Sequence, residues 1–268
     1  MYSPKLYRCF ILFTLIPFTA FTQMKLEAEI RPRAELRNGY KTLPSDSSSP
    51  ARIVSQRTRL KLDYKNTNYN MRITFQDVRL WGDEELYSAT GVVGDNSSVD
   101  LHEAWFQYHF SDNISVRVGR QEWDYDDSRL LSRKNWNQHG MSYDAVLMKY
   151  ENNNFQMDIG GSWNSDRADL LNDSFTTDKM KTVNFLYLRN EFNKSFEATF
   201  LNILTGYKTE INSSDIVYLT TFGPMIHGSV GNFFYEGSFY YQTGTYQTNE
   251  KISAYLAHSD IGYKITSK

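Results

Sequence analysis

Cysteine is nearly missing: the 268 residues hold one, Cys9. It lies in an N-terminal stretch that reads as an export signal. Lys5 and Arg8 form the basic front, Cys9 to Phe18 the apolar core, and Ala20-Phe21-Thr22 before Gln23 a cleavage site. Residues 1–22 are therefore expected to be a signal peptide, and 23–268 one β-domain. Arg8 stands where a lipid-attachment box needs small residues, which argues against lipidation. The mature chain then has no disulfide, no thiol chemistry and no thiolate metal site.

Long apolar runs are missing too. The leader's core of about ten residues is short of the ~20 that a membrane helix needs, and nothing after Gln23 comes closer. Mean hydropathy is −0.56. That value reads as soluble, yet a membrane barrel alternating apolar-out with polar-in gives the same average. A net charge of −2, −4 once Lys5 and Arg8 are removed, lacks the basic excess of a nucleic-acid binder. Catalytic signatures are absent: no G-x-S-x-G, H-E-x-x-H, P-loop or dinucleotide fingerprint, so no enzyme is expected. His227-Gly228-Ser229-Val230-Gly231 lacks the first glycine of a nucleophile elbow. The five histidines (102, 109, 139, 227 and 258) have no metal-ligand spacing. Asp124, Asp126 and Asp127 read as a solvated acidic loop rather than a calcium site. No cofactor or metal is implied.

What is present is a period of two. In KLEAEIRPRAELRNG, residues 25–39, Lys25, Glu27, Glu29, Arg31, Arg33, Glu35 and Arg37 alternate with uncharged Leu26, Ala28, Ile30, Pro32, Ala34 and Leu36. Successive side chains of a strand point to opposite faces. The theme recurs in segments rich in β-branched residues and in the 19 Tyr, 17 Phe and 5 Trp. Strands are expected near 24–37, 52–65, 69–81, 98–110, 114–123, 141–151, 155–164, 180–192, 196–205, 216–227, 233–243 and 251–265: about twelve, with no convincing helix. In the third, consecutive Gln76 and Asp77 flip the phase and predict a β-bulge.

The breaks alternate in length. Residues 66–68, 111–113, 152–154 and 193–195 are tight turns of Asn, Asp, Ser, Thr and Lys; 38–51, 82–97, 124–140 and 165–179 are long and polar. Short turns on one side and long loops on the other point to an antiparallel up-and-down transmembrane barrel. A soluble sandwich need not alternate so. Aromatics near strand ends (Trp81, Trp105, Phe106, Tyr108, Phe110, Trp123, Tyr150, Phe155, Trp163, Phe192) read as interfacial girdles.

Residues 116–150, VRVGRQEWDYDDSRLLSRKNWNQHGMSYDAVLMKY, carry the most specific signal. They resemble the outer-membrane alginate-export family, with V-G-R-Q-E, an acidic turn, W-x-Q and a strand opening Y-D-A-V. RLKLDY at 59–64, QDVRLWGDE at 76–84, LHEAWFQY at 101–108 and TFGPMIHGSVGNFFYEGSFYYQTG at 221–244 are similar to further family segments. Asp126 stands for the usual Gly, and Leu147-Met148 for Arg-Leu. The resemblance implies a Gram-negative outer-membrane channel for an anionic polysaccharide or oligosaccharide. It singles out Arg120 and Arg129. The family barrel has about eighteen strands, and IGYKITSK lacks a closing aromatic, so a C-terminally truncated barrel is expected; twelve, being even, could also close.

If the charged rows face a lumen, Lys25, Arg31, Arg33, Arg37, Arg57, Arg59, Lys61, Lys65, Arg72, Arg79 and Arg117 oppose Glu27, Glu29, Glu35, Asp63, Asp77 and Glu103, an excess of five positive charges. Rings of Arg favour anions, and a guanidinium fork matches a carboxylate. The candidate pore-lining residues are Arg31, Arg33, Arg57, Arg59, Arg72, Glu103, Arg117, Arg120 and Arg129. Ion-pair ladders that only brace the wall are the competing reading of any one of them. Expected partners are the anionic saccharide, outer-membrane lipid and the barrel-assembly machinery, with no nucleic acid and a monomeric state. A general small-solute porin and a non-transporting, secreted or periplasmic carbohydrate-binding β-protein are the alternatives.

Overall fold

The computed structural model describes residues 24–39, 42–45, 47–82, 99–166, 168, 170, 175–209 and 215–265. The proposed signal peptide and most of connection 82–97 lie outside them. Twelve strands form one sheet in sequence order: β1 (Met24–Arg37), β2 (Ala51–Lys65), β3 (Tyr69–Leu80), β4 (Val99–His109), β5 (Ile114–Gln121), β6 (Tyr143–Glu151), β7 (Phe155–Trp163), β8 (Thr182–Asn193), β9 (Phe196–Lys208), β10 (Ile216–Val230), β11 (Phe233–Thr245) and β12 (Lys251–Tyr263). Each strand pairs antiparallel with the next. The expected up-and-down all-β order is thus the observed one.

The tight turns follow from their side chains. Asn152 Oδ1 accepts the N–H groups of Asn154 (3.1 Å) and Phe155 (2.9 Å). Ser111 Oγ accepts those of Asn113 (3.3 Å) and Ile114 (3.2 Å). Such bonds satisfy backbone donors that the ladder cannot reach.

One face of the sheet looks inward. Residues 122–140, between β5 and β6, touch β1, β2, β3, β7 and β11 through bonds made by one face of each strand. A sheet can do this only by curling around the segment. On β1 every odd position from Glu27 to Arg37 is half-buried and every even position exposed; Ile30 is 70% exposed. The charged row faces in and the uncharged row out.

Along the short-turn end, outward aromatics form a belt. Tyr64 stacks on Tyr69 and Tyr69 meets Phe106, both at 5.5 Å; Tyr108 meets Phe110 at 5.0 Å, and Phe233 meets Tyr263 at 4.7 Å. Tyr150–Phe155 and Phe192–Phe196 extend it. Amphipathic rings belong at a membrane interface. Trp105 and Trp123 correct the sequence reading: both are inside, and Trp123 is only 1% exposed.

The predicted bulge is displaced. Pairing of β2 with β3 runs unbroken through Arg59↔Gln76 and Thr58↔Asp77. The irregularity lies in β4, where Thr74 faces Glu103 and Phe75 faces Leu101, leaving His102 as the extra residue. Unbroken alternation in β3 then puts Asp77 and Arg79 outward, paired to each other at 2.7 Å. The sequence reading had placed both in the lumen; the excess of five positive charges survives because one of each sign is removed.

Candidate functional site

The inward face has two linings. From β1 to β5 it is polar, whereas β6 to β11 contribute Ala145, Leu147, Val183, Phe185, Leu201 and Tyr240 to a buried apolar cluster. The segment 122–140 bridges the two. Its Trp123 and Leu131 join the apolar cluster, with Trp123 stacked on Tyr143 at 4.3 Å. Its backbone from Asn135 to His139 lies against the arginines. An amphipathic connection inside an amphipathic lumen buries both its halves, which is the physical reason it folds inward rather than out into water.

The arginine ladder grips this segment. Arg31 donates to the carbonyls of Asn135 (2.6 Å) and Asn137 (2.7 Å) and twice to Gln138 Oε1 (2.8 and 3.0 Å). Arg33 reaches the Trp136 carbonyl at 3.2 Å. Arg57, fully buried, joins Glu29 (2.5 Å), Asn135 Oδ1 (2.8 Å) and the Asn137 carbonyl (3.2 Å). Arg59 bonds Gln76 (2.7 Å) and His102 (2.9 Å), and lies 3.6 Å from Glu122. Gln138 Nε2 donates to Ser55 Oγ at 2.9 Å. Gly140 (φ 71°) permits the closest approach: a Cβ there would stand 2.6 Å from Arg59 Nη2 and 3.0 Å from the His102 ring.

Below the ladder lies a cavity of about 240 Å³ lined by Arg72, Glu103, Arg117, Lys149, Gln156 and Asp158 among others. Arg72 Nε donates to Asp63 at 2.6 Å, and its Nη1 is 3.5 Å from Glu103. Glu103, 4% exposed, also accepts from Thr74 (3.2 Å) and Trp105 (3.1 Å). Arg117 lies over the Trp105 ring, 4.1 Å from its centroid, and spends only its Nε, on Gln107 (2.9 Å). Its two terminal amines have no hydrogen-bond acceptor among the described residues. Asp158, 1% exposed, accepts from Tyr125 (2.7 Å) and Gln156 (3.0 Å) on one oxygen; its other oxygen is buried without a donor.

Two of the expected site residues stand elsewhere. Arg120 is on the outward face, bonded to Asp144 at 2.8 Å, because the register pairs it with Ala104 and Asp144, whereas inward Arg117 opposes Gln107 and buried Leu147. This corrects its assignment to the lumen. Arg129 rides on the inserted segment and bonds Asp127 at 2.9 Å. Among the described residues, Asp127, Glu236 and His258 bring ligand atoms within 4.8 Å of one another as a cation site would need, but Arg129 already supplies a cation there. Missed by sequence as site residues were Tyr125, Asp126 (read there as part of a solvated acidic loop), Gln138 and Asp158; the signal was the presence of Trp123, Tyr125, Leu130 and Leu131 in the first half of the connection.

Three ionisable groups of the segment are shifted. Burial, with Asp158 alongside, pushes the Tyr125 phenol well above its usual range. Burial also raises Asp126, against bonds from Thr199, Tyr187 and Tyr240. Burial works upward on Glu122 as well, but His102 and Arg59 outweigh it and hold the carboxyl low.

A curled antiparallel sheet with an apolar outward face, an aromatic belt and a polar inward lining gripping its own connection is the wall of an outer-membrane β-barrel. The chain belongs to the alginate export family, which matches residues 22–268. Its place is the Gram-negative outer membrane. Pseudomonas aeruginosa OpdL is similar in fold at 11% identity and TM-score 0.54, covering 89% of this chain and 60% of OpdL. P. aeruginosa OpdK, solved with vanillate, is similar at 13% identity and TM-score 0.52, covering 90% and 63%. The chain thus spans about three fifths of the length of these porins. No curated protein matches it in sequence.

Proposed function

We propose that this chain forms the selective wall of an outer-membrane channel that passes anionic saccharides, polyuronates of the alginate type, past a constriction made by residues 122–140. One observation carries the substrate class: the cavity beside Arg117 offers unused guanidinium donors and, on Asp158, an unused buried acceptor. A uronate sugar has the complementary pair, a carboxylate for the arginine fork and hydroxyls for the aspartate. Trp105 adds an apolar ring of the kind a sugar face can cover. Family membership supports the same class of passenger.

Bilayer conductance tests this. Oligouronates should block current through the wild type and block Arg117→Gln at least tenfold more weakly, while neutral oligosaccharides of equal length block neither. Cation preference, or equal block by neutral and charged sugars, would leave a general small-solute porin. A protein that stays soluble without detergent and shows no heat-modifiable migration would leave the non-transporting reading.

A further inference from the structure

The outward face carries a second, unassigned arrangement. Register puts Arg52, Arg79, Arg120 and Lys251 outward, against Asp77 and Asp144; Lys208, also outward, is buried. All lie in the third of their strand nearest the long connections, and no strand carries an outward charge at the short-turn end. One rim of the membrane-facing wall is therefore a charged band, basic by the two residues Arg52 and Lys251 once Arg79 is paired with Asp77 and Arg120 with Asp144, and the other is the aromatic belt.

Directly below Arg120 and Asp144 the same wall is indented. An apolar trough of about 950 Å³ runs between Val118, Val146, Trp163, Leu204 and Tyr218. It continues into a second hollow of about 440 Å³ along Met148, Ile159 and Leu186, the two sharing Val146, Gly161, Asn184 and Leu204. The floor is low because Gly161 has no side chain: a Cβ there would meet only Asn184. The amide nitrogens of the floor are partnered, Asn184 Nδ2 donating to Thr182 (3.0 Å) and Asn202 Nδ2 to Thr220 (3.1 Å), so the trough presents mainly hydrocarbon.

We propose that this trough is a binding site for one phosphate-bearing lipid of the leaflet at the long-loop rim, its acyl chain in the groove and its phosphate against Arg120. The solvent of this face is lipid, so a concave apolar strip there is filled by an acyl chain. The basic band selects an anionic headgroup, since interfacial Arg and Lys attract lipid phosphate by about 1 kcal/mol each. Arg120 spends one terminal amine on Asp144, which leaves the other for the phosphate; its Nε is buried.

The test is lipid retention by the full chain purified from outer membranes and exchanged extensively into a neutral detergent. Organic phosphate and fatty acid per protein are measured, with sugar analysis to separate a phosphorylated glycolipid from a glycerophospholipid. About one lipid should remain on the wild type and on Arg33→Gln, which faces inward. Arg120→Gln should retain about fivefold less, the equivalent of one interfacial charge, and Gly161→Leu, which fills the trough, should retain none. Heat-modifiable migration checks that each variant is assembled; should Gly161→Leu fail to assemble, Arg120→Gln alone decides. No lipid on the wild type, or equal lipid on Arg120→Gln, would overturn the site. So would a change of oligomeric mass in the variants, which would make the trough an interface between copies.

Discussion

Arg31 and Gln138, 107 residues apart, are joined by two hydrogen bonds between their side chains, of 2.8 and 3.0 Å. The first strand of the sheet thus holds the connection between the fifth and the sixth. Arg31→Ala removes these and two further bonds to main-chain carbonyls. Hydrogen bonds to a charged group are worth about 1.5–3 kcal/mol each where desolvated, and partial exposure here reduces the total to about 2–3 kcal/mol. Trypsin should then cut after Arg133 and Lys134 faster than in the wild type, and single-channel conductance should rise. Unchanged cleavage and conductance would mean the ladder does not hold the segment.

Gly140 gives a steric version of the same test. Gly140→Val puts a branched side chain where Arg59 and His102 stand and forces it to a positive φ. The segment should detach at its 138–140 end, raising the conductance, while the heat-modifiable migration of the barrel is kept.

The two faces of β1 should respond oppositely to charge. Ile30→Arg places a guanidinium outward near mid-strand, where lipid exposure costs about 2–4 kcal/mol; Leu36→Arg, closer to the rim, should cost about 0–1. Membrane assembly, read by heat-modifiable migration, should fall for the first and survive in the second. Arg33→Glu, which faces inward, should assemble normally and lower anion preference in reversal-potential measurements. Equal behaviour of Ile30→Arg and Arg33→Glu would show the faces misassigned.

Acid should loosen the segment through Glu122 and tighten it through Asp126. The Glu122 carboxyl is held below its ordinary 4.5, so its contribution is present above that value and lost as pH falls through the lower, folded one. The Asp126 carboxyl is raised above 3.8, so its contribution is full below 3.8 and lost as pH rises through the folded value. Fluorescence quenching of exposed Trp136, followed between about pH 3 and 7, should separate them. Glu122→Gln should flatten the acid-side loosening and Asp126→Asn should steepen it.

Strand positions were legible because alternation and turn chemistry are local: each expected strand lies within a few residues of an observed one. Orientation was legible where one row is charged and the other is not, as in β1. It failed at Arg120, which the family resemblance had singled out and the register turns outward, and at Arg79 for a physical reason. The outward wall was taken to be apolar throughout, yet near a membrane rim charge costs little, so Gln76-Asp77 looked like a slip in phase when the strand merely enters the interface. Trp123 and the arginine ladder failed differently. The apolar residues of the connection hint that it folds back, but nothing local tells onto which strands, some of them a hundred residues away.

Most bonds from Arg31 and Arg33 to the inserted segment end on main-chain oxygens of Asn135, Trp136 and Asn137. Such a clasp reads the course of the backbone and, of the side chains the segment carries, only that of Gln138. Substitutions at Lys134 or Trp136 should therefore alter what the proposed constriction presents to a solute without unfastening it. On the proposed channel function, selectivity and attachment would be separable, the first free to change while the second is kept.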